Sequence, residues 1–261
     1  MRNTRIAAYE DTPRDVIASG NDYPSGTLLP NHTHKRGQCL YAITGVLTVT
    51  ATEGTWTVPT RRALWIPPGM EHAVHMGGPT STRSAYLLPS IAAKAGLPEH
   101  CTVISVSPLL HALLYEAADL PIEYDLGSRD DLLMRLLVDE IARMPTLPLN
   151  TPLPQDPRLA RICRSLIQSP SLEVDIDSMA HKAGMSRRSF TRLFREQTGM
   201  SFSSWRQQAC LLAALARLGR GQSVTQVAIE LGYSSTSAFT AAFRRTLGTV
   251  PSHYLLPQDA A

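Results

Sequence analysis

The chain has 261 residues, enough for two domains, with 43% hydrophobic and 18% charged residues and a formal net charge of +3. That charge is unevenly divided. Residues 1–154 carry 12 Lys and Arg against 15 Asp and Glu, whereas residues 155–261 carry 13 against 7, the asymmetry expected if the second part meets a polyanion. The four cysteines (Cys39, Cys101, Cys163, Cys210) have no CxxC spacing, which argues against a zinc finger or a disulfide scaffold. Met1-Arg2-Asn3-Thr4-Arg5 is not followed by an apolar signal core and no apolar run approaches membrane-spanning length, so a soluble, cytosolic protein without membrane partners is expected.

The first feature along the chain is Gly26-(x5)-His32-x-His34-(x3)-Gln38-(x6)-Gly45, answered further on by Pro67-Pro68-Gly69-Met70-Glu71-His72. Between them Leu40–Ile43, Val46–Thr50, Trp56–Val58 and Ala63–Ile66 read as short strands, punctuated by Gly45, Gly54 and the Pro-Pro-Gly turn. Strands at this spacing suggest a small β-barrel or jelly roll. His32 and His34 alternate along a strand and so share a face, while His72 arrives from a distant turn. Three imidazoles plus the Gln38 carbonyl could hold a divalent transition metal with positions open for a small ligand. The alternative is a metal-free pocket whose histidines hydrogen-bond a polar effector. Leu40 and Ala42 continue the face of Gln38 as an apolar wall. The candidate effector-binding set is His32, His34, Gln38, Leu40 and His72, and the candidate metal set is His32, His34, Gln38 and His72. His75, His100, His111, His181 and His253 fit no ligand spacing. The two segments resemble the paired motifs of cupins. Gln38 stands where the first motif usually has Glu, Arg61 where the second opens on Gly, and Met76 where it closes on Asn.

Two helices are expected next. Ser107-Pro108 is an N-cap with proline in the first helical position, and Leu109, Leu110, Leu113, Leu114 and Ala117 give one apolar face. From Asp130 to Arg143, Leu132, Leu133, Leu136, Leu137 and Ile141 form a broad apolar stripe with Asp131, Asp139 and Glu140 outside. One such face would pack on the barrel; two suggest that one is shared with a second subunit. The run from Met144 to Pro157, with Pro145, Pro148, Pro152, Pro154 and Pro157, lacks periodicity and reads as a semi-rigid linker.

The C-terminal part contains a repeat. Asp175-Ile176, Met179-Ala180, Ala183-Gly184-Met185-Ser186, Phe190, Phe194-Arg195 and Gly199 are matched by Ser223-Val224, Val227-Ala228, Leu231-Gly232-Tyr233-Ser234, Phe239, Phe243-Arg244 and Gly248. The offset is 48 up to the Gly-apolar-Ser step and 49 from the Phe pair onward, so the second copy carries one inserted residue. Ile176, Met179, Ala180 and Ala183 recur at i, i+3, i+4 and i+7, one face of a short helix capped by Asp175. Val224, Val227, Ala228 and Leu231 repeat that face, with Ser223 and Gln226 as a capping-box pair. Gly184 and Gly232 supply the turn, and Ser186 and Ser234 or Ser235 cap a second helix in each copy. Each copy is thus a helix-turn-helix. Phe190, Leu193, Phe194, Phe239 and Phe243 point inward. The faces left outside hold Ser186, Arg187, Arg188, Thr191, Arg192 and Arg195 in the first copy and Ser235, Thr236, Ser237, Thr240 and Arg244 in the second; these are the candidate DNA-binding residues.

Residues 155–261 resemble the DNA-binding domain of AraC/XylS-type transcription regulators, including the closing Gly248-x-x-Pro251-x-x-Tyr254 signature. The resemblance implies two helix-turn-helix units joined by one long helix, here about Phe202 to Leu218, capped by Ser201 and burying Trp205, Ala209, Leu212, Ala213 and Ala216. Ala241 stands where some relatives carry a base-contacting polar residue, which implies weaker base discrimination by the second unit. The N-terminal part resembles the cupin-type sensor found ahead of such domains. The expected fold is α+β: a cupin-like β-barrel sensor domain at 1–90, a helical dimerisation segment and Pro-rich linker at 91–154, and an all-α double helix-turn-helix at 155–261. The expected function is a ligand-responsive, sequence-specific transcription regulator rather than an enzyme. Its implied partners are double-stranded DNA, a small-molecule or metal effector and a second copy of the chain, with RNA polymerase as a further candidate. The alternative is a metal-dependent cupin enzyme, a dioxygenase or isomerase, with an appended DNA-binding domain.

Overall fold

The computed structural model describes residues 6–247 and 249–254. The N-terminal Met1–Arg5 stretch and Gly248 lie outside the described residues, as do the side chains of His253 and Tyr254. The chain divides into two compact units, residues 1–52 with 58–149 and residues 53–57 with 150–261.

In the first unit, after a 3-10 turn at Ile6–Tyr9, come β1 (Val16–Tyr23), β2 (Leu28–His32), β3 (Gly37–Thr44), β4 (Leu47–Ala51), β6 (Arg62–Ile66), β7 (His72–Met76), β8 (Thr80–Leu87), β9 (Thr102–Ser105) and β10 (Thr146–Leu147). One antiparallel sheet runs in the order β1-β8-β3-β6-β9-β10, and in the other β7 lies between β4 and β2. Period-two alternation divides the first sheet. Val16, Ala18, Cys39, Tyr41, Ala63, Trp65, Ala85 and Leu87 face one way, into the main core. The paired positions Ser19, Gln38, Leu40, Ser84 and Tyr86 face the other way. Gly45 turns β3 into β4 with φ of 78°, and a Cβ there would meet the Thr80 hydroxyl at 2.4 Å. The motif glycine at this corner therefore has a steric reason.

Helices α1 (Pro89–Lys94), α2 (Pro108–Ala117) and α3 (Arg129–Arg143) belong to this unit. Ser107 caps α2 through the Leu110 N–H as expected, and Leu110, Leu113, Leu114 and Ala117 bury against the outer face of the sheet together with Leu133, Met134, Leu137 and Ile141 of α3. Each of the leucine, methionine and isoleucine side chains contributes about 1.5–3 kcal/mol of burial. Four details differ from the sequence reading. Leu109, Leu132 and Leu136 are exposed, at 46%, 62% and 42%, because adjacent apolar rows on a helix diverge by ~100° and the sheet covers only one of them. Asp131 is buried: its carboxylate accepts from the Gly127 N–H and from Arg135 Nη2 and so satisfies the turn that starts α3. Glu140 is buried too, accepting from the Ser107 hydroxyl at 3.3 Å. The Pro-rich stretch is also more structured than a linker: Thr146–Leu147 pairs with β9, and Pro157 occupies the first turn of a helix.

The second unit holds β5 (Gly54–Val58) over residues 54–57, paired with β11 (Asn150–Pro152), and then α4 (Pro157–Gln168), α5 (Ile176–Lys182), α6 (Arg187–Thr198), α7 (Phe202–Gly219), α8 (Val224–Glu230), α9 (Thr236–Leu247) and α10 (Pro251–Tyr254). α7 is the expected joining helix, capped by Ser201. Its apolar surface is wider than the spacing suggested. Cys210, Leu211, Ala214, Leu215 and Leu218 are buried beside Trp205, Ala209 and Leu212, while Ala213 and Ala216 are half-buried. Trp205 Nε1 and Gln208 Nε2 donate to the carbonyls of Pro152 and Asn150, which anchors α7 to β11. The first helix-turn-helix core joins Leu159, Ile162 and Cys163 of α4 to Phe190, Phe194, Phe202 and Trp205, the rings of Phe194 and Trp205 meeting edge-on at 6.0 Å.

Candidate nucleic-acid interface and effector pocket

The two helix-turn-helix pairs, α5–α6 and α8–α9, form as the repeat foretold. Asp175 caps α5 through the Asp177 and Ser178 N–H groups. Ser223 caps α8 through the Gln226 N–H. The capping box is only half made, because the Gln226 amide donates onward to Glu230 instead of reaching back. Gly184 and Gly232 turn the chain at φ of 65° and 79°, and Ala180 and Ala228, 2% and 0% exposed, fill the crossings. Ser186 caps α6 and Ser235, not Ser234, caps α9. The inserted residue is therefore absorbed in the α8–α9 turn, which leaves the helices in register. The segment that leads into α5 is held from two sides, its Leu172 N–H donating to the Leu231 carbonyl at the end of α8 at 3.0 Å and its Val174 carbonyl accepting from the Arg206 guanidinium of α7.

Phe190 and Phe194 are fully buried, so the opposite side of α6 presents Arg187, Arg188, Thr191, Arg192 and Arg195, all exposed and lining one open groove with Glu196. On α9, Phe239, Ala242 and Phe243 are buried and the outer groove is lined by Thr236, Ser237, Thr240, Ala241, Arg244, Arg245 and Val250. Thr236 and Thr240 are half-buried. The Ser186 and Ser235 hydroxyls are committed to helix caps. The sequence reading missed Glu196, four residues after Arg192, and Arg245, next to Arg244. Arg187 pairs with Asp177 at 2.9 Å and Arg192 with Glu196 at 3.2 Å. Exposed pairs of this kind are worth about 0.2–1 kcal/mol, so both guanidiniums can exchange a carboxylate for nucleic acid at little cost.

The three histidines of the N-terminal motifs converge. Their ligand atoms lie within 4.8 Å of one another, and the ring centroids are 4.3 Å (His32–His72), 5.0 Å (His32–His34) and 5.5 Å (His34–His72) apart. The route differs from simple alternation: β2 ends at His32, which pairs across from His72 after a register shift, and His34 lies beyond the strand. Every Nδ1 is committed, His32 to the Pro30 carbonyl at 2.7 Å, His72 to the Met70 carbonyl at 2.9 Å and His34 to Glu10 Oε1 at 3.2 Å. A carbonyl or carboxylate can only accept, so each Nδ1 carries a proton, and in a neutral ring that leaves the lone pair on Nε2. The His72 Nε2 is buried without a partner.

Gln38, 6% exposed, donates through Nε2 to Ser84 Oγ and Tyr86 OH, and its Oε1 is likewise buried and unpartnered among the described residues, with Ser19 on the paired strand beside Tyr86. Leu40 and Ala42 are buried on the same strand face. Burial, then the neighbouring ring of His32, lowers His34 from 6.5 to about 4. Burial likewise takes His72 to about 4, against the bond to Met70. Both are neutral imidazoles at neutral pH, the form a metal requires. Ser19, Ser84, Tyr86 and Glu10 are the site residues that sequence reasoning missed; none has a motif spacing to the histidines.

Comparison with known proteins places these features in one family. The model of the AraC-like ligand binding domain matches residues 15–137, and that of a helix-turn-helix domain matches residues 179–256. The chain is 32% identical over 261 residues to the HTH-type transcriptional regulator NimR of Escherichia coli (strain K12), covering 98% of this chain and 93% of that protein. It is 37% identical over 125 residues to the HTH-type transcriptional regulator RipA of Corynebacterium glutamicum, covering 47% of this chain and 37% of that protein. Among solved structures, the DNA-binding domain of AdpA in complex with a target DNA is 33% identical and covers 39% of this chain and 91% of that one, with a TM-score of 0.36. The chain belongs to the AraC-type family of transcription regulators, which join a ligand-binding domain to a helix-turn-helix DNA-binding domain. Among the described residues no helix is long and apolar enough to cross a membrane.

Proposed function

We propose that α6 is the principal base reader of this regulator, that α9 mainly positions the protein, and that the histidine cluster is where the effector acts, as a divalent transition metal or a polar ligand held there. For the DNA half, the supporting observation is the single exposed stripe of Arg188, Thr191, Arg192 and Arg195 opposite buried Phe190 and Phe194. Arg188, Thr191 and Arg192 reach base edges in the major groove, and Arg187 and Arg195 contact phosphates. Thr236, Ser237 and Thr240 offer a short neutral face, so α9 supplies register more than discrimination. Binding of full-length protein to an operator selected from random duplexes tests this: unchanged affinity and specificity in Arg192→Ala would overturn the assignment of α6.

For the sensor half, the supporting observation is that the three imidazoles converge, with a ring nitrogen of each within 4.8 Å of the others, while every Nδ1 is hydrogen-bonded and the His72 Nε2 is buried without a partner among the described residues. Such backing is how metal-binding histidines are oriented, and converging lone pairs attract a cation. His32, His34 and His72, with Gln38, would hold the metal; when bound, it would supply open positions for a small effector. Elemental analysis of untagged protein, beside a His32→Ala, His72→Ala double variant, tests this. A metal content below about a tenth of an equivalent after reconstitution removes the metal reading. The effector reading then stands if the variant still binds DNA but ignores the inducer.

The enzyme alternative has little to work with. Glu71 is exposed, and the Glu10 carboxylate is engaged by His34 and by the Lys35 N–H. Turnover by metal-loaded protein would revive it. The protein acts in the cytoplasm as a homodimer. Leu133 and Leu137 serve the unit's own core, so the shared surface is the outer row of α3, Leu132 and Leu136. Leu132→Asp with Leu136→Asp gives a soluble monomer with weakened operator binding; a wild-type monomer at micromolar concentration in light scattering refutes the dimer.

A further inference from the structure

His32 and His72 are oriented locally, each donating from Nδ1 to a carbonyl two residues earlier. His34 is different. It lies beyond the end of β2, and its Nδ1 is held by Glu10, 24 residues earlier in the chain, at 3.2 Å. The same carboxylate oxygen accepts the Lys35 N–H at 3.1 Å, so Glu10 fixes both the ring of His34 and the backbone that carries it.

Glu10 is in turn held in place by Arg36. This guanidinium is 1% exposed and is satisfied by main-chain carbonyls: Nε donates to Glu10 O, Nη2 to Thr12 O, and Nη1 to Arg14 O and Asp15 O. A buried guanidinium satisfied mainly by backbone is demanding, since each carbonyl must be presented at a set angle. The segment 10–15 is thereby clipped to 34–36, with Lys35 and Asp11 paired at 2.7 Å on the outside. The N-terminal segment thus supplies one of the three groups that orient the histidine cluster, and the only one that carries a charge.

We propose that Glu10 is a positioning residue for a divalent metal at His32, His34 and His72, acting through His34, and that metal occupancy and the docking of residues 10–15 reinforce one another. This rests on the metal reading of the cluster. A carboxylate behind an imidazole fixes its tautomer, strengthens it as a ligand, and typically accounts for 10–100-fold in metal affinity. By linkage, whatever Glu10 adds to metal binding, the metal adds to the docking of the segment that carries Glu10. The clip at Arg36 makes that segment one piece with the site.

The test is Zn²⁺ titration of the full chain against a chromophoric chelator for wild type, Glu10→Gln, Glu10→Ala and His34→Ala, with melting curves of the metal-free proteins and hydrogen exchange over residues 10–15 with and without Zn²⁺. Glu10→Gln retains an acceptor for Nδ1 and loses only the charge, so it serves if Glu10→Ala fails to fold. The expected result is a roughly 10-fold or greater loss of Zn²⁺ affinity in either Glu10 variant at equal folded fraction. Zn²⁺ should also slow exchange over 10–15 in wild type but not in His34→Ala. Wild-type affinity in both Glu10 variants, or exchange indifferent to Zn²⁺, overturns the positioning role and leaves the metal site standing. Absence of Zn²⁺ binding by wild type overturns both.

Discussion

The two units place their functional side chains in opposite environments. In the first, the polar groups that matter are buried and short of partners: His72 and Gln38 each bury a polar atom that no group among the described residues satisfies. In the second, Arg188, Thr191, Arg192 and Arg195 stand exposed on a helix whose other side carries Phe190 and Phe194 at 0% exposure. A buried group without a partner costs about 1–3 kcal/mol until a ligand completes it, which suits a sensor. An exposed arginine costs the fold nothing and waits for a polyanion. Changes to functional residues should therefore alter stability in the first unit and leave it alone in the second.

The sharpest contrast lies within α6. Phe194→Ala should destabilise the second unit by about 3–5 kcal/mol, while Arg192→Ala, two residues away, should cost no more than the ~0.2–1 kcal/mol of its exposed pair with Glu196. In binding, Arg192→Ala should lose about 1–3 kcal/mol of discrimination at one base pair. Arg195→Ala should instead weaken all sequences alike and lower the salt slope by about one. A melting shift in Arg192→Ala as large as that of Phe194→Ala would end the distinction.

The pH dependence should differ as well. His34 and His72 sit at about 4 in the folded protein, against 6.5 for a free imidazole, with burial as the main cause. Between those values the unfolded chain takes up protons that the folded first unit refuses. Their contribution is fully present above pH 6.5 and is lost as pH falls toward 4. Melting followed by hydrogen exchange at pH 7, 5.5 and 4.5 should show the barrel weakening first, and a barrel indifferent to pH in this range would contradict the burial of the cluster. The same shifts move the proton competition for a bound metal at these two ligands below pH 6.5, toward 4.

A smaller effect tests the barrel backbone. Arg61, standing where the second cupin-like motif opens on glycine, has φ of 59° and is the one non-glycine residue in the left-handed region among those described. Arg61→Gly should stabilise the first unit by at most about 1 kcal/mol, relief of the strain being set against the added flexibility of glycine. A lowered melting temperature would mean that the Arg61 side chain contributes more than its backbone costs. Smallest of all, Thr236→Ala with Ser237→Ala should weaken DNA binding far less than Arg192→Ala. Equal losses would show that α9 reads bases as α6 does.

The sequence by itself determined what depends on local periodicity. The two helix-turn-helix pairs, their serine and aspartate caps, the glycine turns and the inward phenylalanines follow from spacings of three and four residues, because a helix brings those positions together wherever it lies. The histidine cluster was legible because its motif spacing had a known resemblance. Tertiary structure alone decided which of two adjacent apolar rows on α3 is covered, burying Leu133 and Leu137 and leaving Leu132 and Leu136 outside, since that depends on the sheet opposite. It also buried Asp131 and Glu140, drew Thr146–Leu147 out of a proline-rich run into a strand, and brought Glu10 to His34 across 24 residues of chain. No one-dimensional pattern encodes these contacts, because each rests on a surface that exists only once distant segments have packed.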